Sequence, residues 1–183
     1  MHFTLCDLVT DITQNAAESG AALVELDVRE TDRGPNGHSE FRFAVKDNGK
    51  GMDQDELKRA IDPFVTDGIK HPHRKVGLGI PFLIQTAEQS GGGWDLRSEK
   101  NTGTTVKAWF DMENVDTPPV GDVPGLFRTV ILFPGPGDMR IRRFKGEAGY
   151  EVSKSELAEA LGGLEDTASL ILLDKYLRSL EEE

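Results

Sequence analysis

Four short stretches of this 183-residue chain carry residue types whose spacing could do chemistry. In Val45-Lys46-Asp47-Asn48-Gly49-Lys50-Gly51-Met52, a run of strand character ends in an acid followed by two glycines one residue apart. A carboxylate at a strand end can accept a hydrogen bond from an exocyclic amine such as that of adenine. Gly49 and Gly51 would let the backbone come close to a ligand, and Met52 could lie against a ring. By itself the stretch also fits an ordinary Asx-Gly turn.

Upstream, Asp11 and Asn15 stand four residues apart in a helical pattern, so their side chains leave one face a turn from each other. An amide oxygen is a hard ligand suited to Mg²⁺, and a carboxylate beside it could orient or deprotonate a water attacking a terminal phosphate. Downstream, Lys75-Val76-Gly77-Leu78-Gly79-Ile80-Pro81 places two glycines at a helix entry, where unpaired amides and the positive dipole end can cradle phosphates. Lys70, Arg74 and Lys75 give that stretch local positive charge. Finally, Gly103-Thr104-Thr105-Val106 opens a strand, where the hydroxyl of Thr104 or Thr105 could reach a purine directly or through water.

These residues need elements to hold them. Leu5, Leu8, Val9, Ile12, Ala16 and Ala17 recur at three- and four-residue steps, which predicts an amphipathic helix stopped by Gly20. Alternation over residues 22–29 and 40–46, around a turn-rich 32–37, predicts an antiparallel hairpin. A second helix is expected from Asp53. Residues 62–76 hold two prolines, two histidines and little periodicity, and read as a long loop over a ligand. Helical spacing resumes over 79–90, and two strands follow over 94–98 and 104–110. Helix, two strands, helix, loop, helix, two strands is an α+β fold: a two-layer sandwich with a mostly antiparallel mixed sheet and helices on one face.

The organisation expected is one domain over 1–112, an acidic, proline-rich linker over 113–124, and a small α/β extension over 125–183. In the extension, Asp122 and Pro124 can open a helix through Phe133, although Val130 and Ile131 also suit a strand. A hairpin around Gly146 and Gly149 is expected next. Ser153 to Glu156 then reads as a capping box, and a last helix from Thr167 carries Leu170, Ile171, Tyr176, Leu177 and Leu180.

Composition narrows the function classes. A net charge of −11 argues against binding along a nucleic-acid backbone, which depends on clustered Lys and Arg. The longest apolar runs, Val130 to Phe133 and Leu170 to Leu173, fall far short of the roughly 18 to 20 residues of a membrane span. With no secretion signal at the start of the chain, the expected location is the cytoplasm. Cys6, the one cysteine, reads as a small core residue, and His2, His38, His71 and His73 as solvated side chains. A polyanionic ligand would therefore need Mg²⁺, backbone amides and a few local cations, which the stretches above offer.

Taken together and in order, Asp11 to Asn15, Asp47 to Met52, Asp62-Pro63-Phe64, Gly77 to Gly79 and Gly103-Thr104 resemble the asparagine box, first glycine box, phenylalanine box, second glycine box and closing Gly-Thr of the GHKL (Bergerat-fold) ATPase superfamily. The resemblance covers residues 1 to about 110. It implies ATP and Mg²⁺ as ligands, with Asn15 on the metal and Asp47 on the adenine amine. Gly49, Gly51 and Met52 would surround the base, Gly77, Leu78 and Gly79 would give amides to the phosphates, and Thr104 or Thr105 would complete the adenine contacts. Phe64 and Lys75 would belong to the mobile lid over residues 62–76.

The lid and Val76 to Ile80 look most like sensor histidine kinases, whereas Asn15 to Ala21 is also similar to mismatch-repair and gyrase-type ATPases. The latter carry a Glu one turn before the Asn as hydrolytic base; here Asp11 stands there, one methylene shorter. Residues before Met1 that could build a phospho-acceptor helix pair are not expected. The tail resembles the extension of stand-alone histidine-kinase-like ATP-binding proteins. The implied function is an ATP-dependent regulatory ATPase or protein kinase with a protein partner on its extension. Two alternatives are a non-catalytic ATP sensor that docks a partner and a gyrase-like, ATP-driven dimer clamp.

Overall fold

The computed structural model describes residues 3–64 and 79–182. Its first helix, α1 (Leu5–Ala17), starts where Thr4 and Asp7 cap each other: the Asp7 amide donates to Thr4 Oγ1 at 3.2 Å and the Thr4 amide to Asp7 Oδ2 at 2.8 Å. The strands β1 (Leu23–Thr31) and β2 (Glu40–Asp47) form the expected hairpin, followed by α2 (Gln54–Ile61) behind an Asp53 cap. After α3 (Gly79–Gln89) come β3 (Gly93–Glu99) and β4 (Gly103–Asp111). Of the long loop read over 62–76, residues 65–76 lie outside the described residues.

The helix reading prevails at residue 123. There α4 (Val123–Ile131) begins behind Asp122, whose carboxylate accepts from the Gly125 amide at 3.1 Å, and Pro124 sits where its missing amide costs nothing. The β-branched pair is not on a strand but buried on this helix, with Val130 and Ile131 fully covered. The rest comprises β5 (Asp138–Lys145), β6 (Ala148–Ser153), α5 (Lys154–Leu161) and α6 (Thr167–Glu182).

All six strands make one sheet in the order β3-β4-β2-β1-β5-β6, antiparallel except for the parallel pair β1/β5. Register puts Val106 beside Val45, Val45 beside Leu26 and Leu26 beside Ile141, so one apolar row crosses four strands. A second row, Ala108, Phe43 and Val28, lies beside it, and α1 lays Leu5, Leu8, Val9, Ile12 and Ala16 on that face. Each such buried Leu, Val or Ile contributes about 1.5–3 kcal/mol. The other face alternates outward with Arg42, Lys46, Lys107 and Arg140, as the period of two requires. Among the described residues, no helix is long and apolar enough to cross a membrane.

Residues 113–124 run across the start of α1, where the Leu5 and Cys6 amides donate to Pro119 O and Val120 O at 2.9 Å each. Beyond them, β5 continues the sheet and α4 packs on α1 and α6. Arg143 of β5 is buried among Glu30, Glu181 and Tyr150 and ties α6 to the sheet: its Nη2 donates to Glu30 and, at 3.0 Å, to Glu181. Cys6 is a core residue, and burial pushes its thiol up to about 12. The inward stripe of α6 takes in only one of the apolar residues named in sequence, Leu177. Ser169, Leu173 and Leu177, at a strict four-residue step, are buried, whereas Ile171 and Tyr176 point away from that stripe and are exposed.

Candidate functional site

Asp47 is the last residue of β2 and shares the helix-covered face with Val45, two residues earlier. Pairing carries this row sideways: Asp47 stands opposite Thr104 of β4, and Thr104 opposite Ser98 of β3. Thr105 pairs instead with Lys46 and Arg97 on the open face, so of the two threonines only Thr104 is brought to Asp47. The Asp47 carboxylate accepts from the Gly49 amide at 2.9 Å. Burial raises its pKa above the usual aspartate value, opposed by the Gly49 amide, the Ser19 hydroxyl and the Thr104 amide.

The glycines have a reason beyond the one read in sequence, because the chain itself also approaches them. A Cβ on Gly51 would stand 1.9 Å from Glu99 O, and φ there is +64°, in the left-handed region. A Cβ on Gly103 would meet Asp47 O at 2.0 Å, and one on Gly49 would meet Ser19 Oγ at 2.1 Å. The three turns are thereby pressed together. Lys50 N–H donates to Ser19 O at 3.0 Å and Asn101 N–H to Lys50 O at 2.7 Å, stitching the first glycine box to the end of α1 and to the β3–β4 turn.

Ser98 is the hub of this corner. Its Oγ accepts from the Met52 amide at 2.8 Å and lies 2.8 Å from Thr104 Oγ1 and 3.2 Å from Gly103 O. Met52 is half-buried and held through its backbone. Neither Ser98 nor Ser19 stood out in sequence. Ser98 could have been found from register alone, since a tight turn at 99–103 places it opposite Thr104 on the face of Asp47.

Asp11 and Asn15 emerge on the exposed side of α1, opposite the start of α3. A Cβ on Gly79 would lie 3.6 Å from Asn15 Nδ2 and 4.0 Å from the Asp11 Cβ. The helix entry at Gly79 therefore lies beside the face that carries both side chains. The amide of Asn15, solvent-accessible and next to that helix entry, has the chemistry of a magnesium ligand. Phe64 is exposed, its amide donating to Asp62 Oδ1 at 2.8 Å. Lys75, Gly77 and Leu78 lie outside the described residues.

A second group of metal-ligating type lies at the far end of β2 and β4. His38 Nδ1 is 2.8 Å from Asp111 Oδ2, with Glu113 close by. Glu113 Oε2 accepts from the Ser39 amide at 2.8 Å, so this group fastens the hairpin loop to the chain after β4.

Residues 3–114 match the family described as histidine kinase-, DNA gyrase B-, and HSP90-like ATPase. The sensor histidine kinase ZraS of Escherichia coli (strain K12) is 28% identical over 80 residues. That alignment covers 44% of this chain and 16% of the kinase, so the chain spans a small part of that relative's length. The MutL ATPase domain of Aquifex aeolicus, solved in complex with ADP, aligns over 87% of this chain and 69% of its own, at 13% identity and a TM-score of 0.41.

Proposed function

Because the chain belongs to the histidine kinase-, DNA gyrase B-, and HSP90-like ATPase family, the GHKL superfamily, we propose that it binds ATP with Mg²⁺ in the cytoplasm and transfers or hydrolyses the terminal phosphoryl group. The observation that supports this reading is the pair of constellations that the fold assembles: Asp47, Thr104 and Ser98 in one cross-strand row, and Asp11 and Asn15 beside Gly79. The Asp47 carboxylate takes the adenine amine, with Thr104 beside it. Gly49, Gly51 and Met52 shape the wall around the base.

Asn15 is the residue that would hold Mg²⁺, and the ion, when bound, would neutralise phosphate charge. The Gly79 amide, with Gly77 and Leu78 before it, receives the phosphates, and Lys75 and Phe64 belong to the segment that covers them. Asp11 accepts the proton of the attacking oxygen, from water or a partner's side chain, as that oxygen bonds to phosphorus and the bond to ADP breaks. Residues 125–183 serve a protein partner, whose modification or regulation is the purpose of the turnover.

The test is an Asp11→Asn variant assayed with labelled ATP. Turnover should fall by roughly 10²-fold or more while calorimetric ATP affinity stays within about 2-fold. The destination of the label, whether this chain, a co-purifying protein or free phosphate, then separates kinase from ATPase. A parent chain that binds ATP without any turnover overturns the catalytic reading and leaves an ATP sensor.

A further inference from the structure

The last helix is apolar on two sides. Its buried stripe, Leu173 and Leu177, faces the core, but Leu172 and Tyr176, also four residues apart, are 52% and 44% exposed. A helix that has already buried one stripe and still presents a second has a further surface to cover. Leu172 and Tyr176 form one bank of a groove whose other bank is Leu157, Ala160 and Leu161 of α5, with Val152 of the edge strand β6 at its head. The cavity is about 570 Å³, room for a few apolar side chains but not for a folded element.

Charge identifies the occupant. Glu151 and Glu156 stand on the rim, the first 3.6 Å from Arg142 Nε in an exposed ion pair that leaves Glu156, among the described residues, as its unshared acid. From residue 146 to 166 the chain carries six acids against a single base, Lys154, and the Nζ of Lys154 is turned toward Phe133 O at 3.2 Å. Lys175 is the cation on the rim. A second copy of this chain, at a net charge of −11, is repelled rather than drawn in. We infer that the groove between α5 and α6 receives an amphipathic helix of a partner protein, with apolar anchors at i and i+4 set in the groove and Lys or Arg flanking them against the Glu151 and Glu156 rim. This deepens the docking half of the proposed function and is independent of its nucleotide half.

The probe is a fluorescein-labelled leucine–lysine peptide of about 14 residues with leucines at helical spacing, compared with a leucine–glutamate counterpart, on the full chain. Fluorescence anisotropy should show saturable binding of the lysine peptide and at least about 10-fold weaker binding of the glutamate peptide. Leu172→Asp and Ala160→Arg, both at exposed positions, should each weaken the lysine peptide about 10-fold or more while calorimetric ATP binding is unchanged. Amide shifts on binding should centre on α5 and α6. Affinity insensitive to both variants, or shifts spread over the acidic surface, would mean general charge attraction and overturn the inference. Dimerisation lost in Leu172→Asp would also overturn it, with a second copy as occupant. If the peptide fails while ATP still binds, the docking inference falls alone.

Discussion

The corner around Asp47 and the face carrying Asp11 and Asn15 are built by opposite means. In the first, backbone touches backbone: Gly51 lies against Glu99 O, Gly103 against Asp47 O, and a single hydroxyl, that of Ser98, fastens three segments. In the second, two exposed side chains stand on a helix whose stability comes from its other face, and the glycine opposite them has ordinary van der Waals room. Recognition of a planar base gains from a wall fixed before the ligand arrives, because a preformed site loses little entropy on binding. Groups that must follow a changing phosphate are better placed on side chains that can adjust. Under the proposed function, the first region would set specificity and the second would carry turnover.

The largest expected effect breaks the comparison at its glycines. Gly51→Ala forces a Cβ into a backbone carbonyl at a positive φ, and should destabilise the fold by about 3 kcal/mol or more, with nucleotide binding lost alongside. Among the described residues Gly79→Ala meets nothing closer than 3.6 Å, and at the first position of a helix it should leave stability unchanged or raise it by up to about 0.5 kcal/mol. Thermal melts of the pair measure both, and equal losses would erase the distinction between the two regions.

Next in size is Asp47→Asn. An amide oxygen can still accept from Gly49, but it removes the charge, and ATP affinity should fall by about 100-fold. Because burial raises the folded-state pKa of Asp47, the folded chain holds its proton to higher pH than the unfolded one. Stability therefore declines as pH rises from the ordinary aspartate value of 3.8 through the raised value, and stays lower above it. At neutral pH the variant should thus melt at or above the parent while binding ATP poorly. ATP affinity of the parent, which needs the carboxylate, should weaken as pH falls toward the raised pKa. A variant that loses both stability and affinity would make Asp47 a structural residue.

How far the sequence could be read follows the same division. The hairpin, α1 and α3 were legible because each has one buried stripe or row, with Gly20 stopping α1, whereas α2, which buries no residue, was legible from its cap at Asp53. Asp47 was legible as an acid at the end of an alternating run. The reason for Gly49 and Gly51 was not, because a contact with Glu99 or Ser19 depends on a partner 48 or 30 residues away and leaves no local periodicity. The choice between Thr104 and Thr105 turned on register, which moves a side chain to the opposite face for each residue of slip. The inner face of α6 was not legible because the helix carries two apolar stripes, and only packing against α4 and α5 decides which is inside. In α4 the β-branched residues Val130 and Ile131 were overruled by the Asp122 cap and by burial against neighbouring helices.

The smallest effect sharpens the comparison at Ser98. In Ser98→Ala the Met52 amide loses its acceptor and Thr104 loses a partner, but the strand pairing on either side remains. The loss should be about 1–2 kcal/mol in ATP binding, or roughly 10-fold in affinity, shared between the base wall and its floor. If Ser98 acts only by placing Met52 and Thr104, KM should rise while kcat stays within about 2-fold, and Ser98→Thr, which keeps the hydroxyl, should recover most of the affinity. A fall in kcat with KM unchanged would tie the base corner to the chemistry and remove the separation between the two regions. The double variant with Asp47→Asn adds a further check. If Ser98 and Asp47 act on one rigid wall, their losses should be less than additive, because a wall already deprived of its carboxylate has less to lose from being loosened.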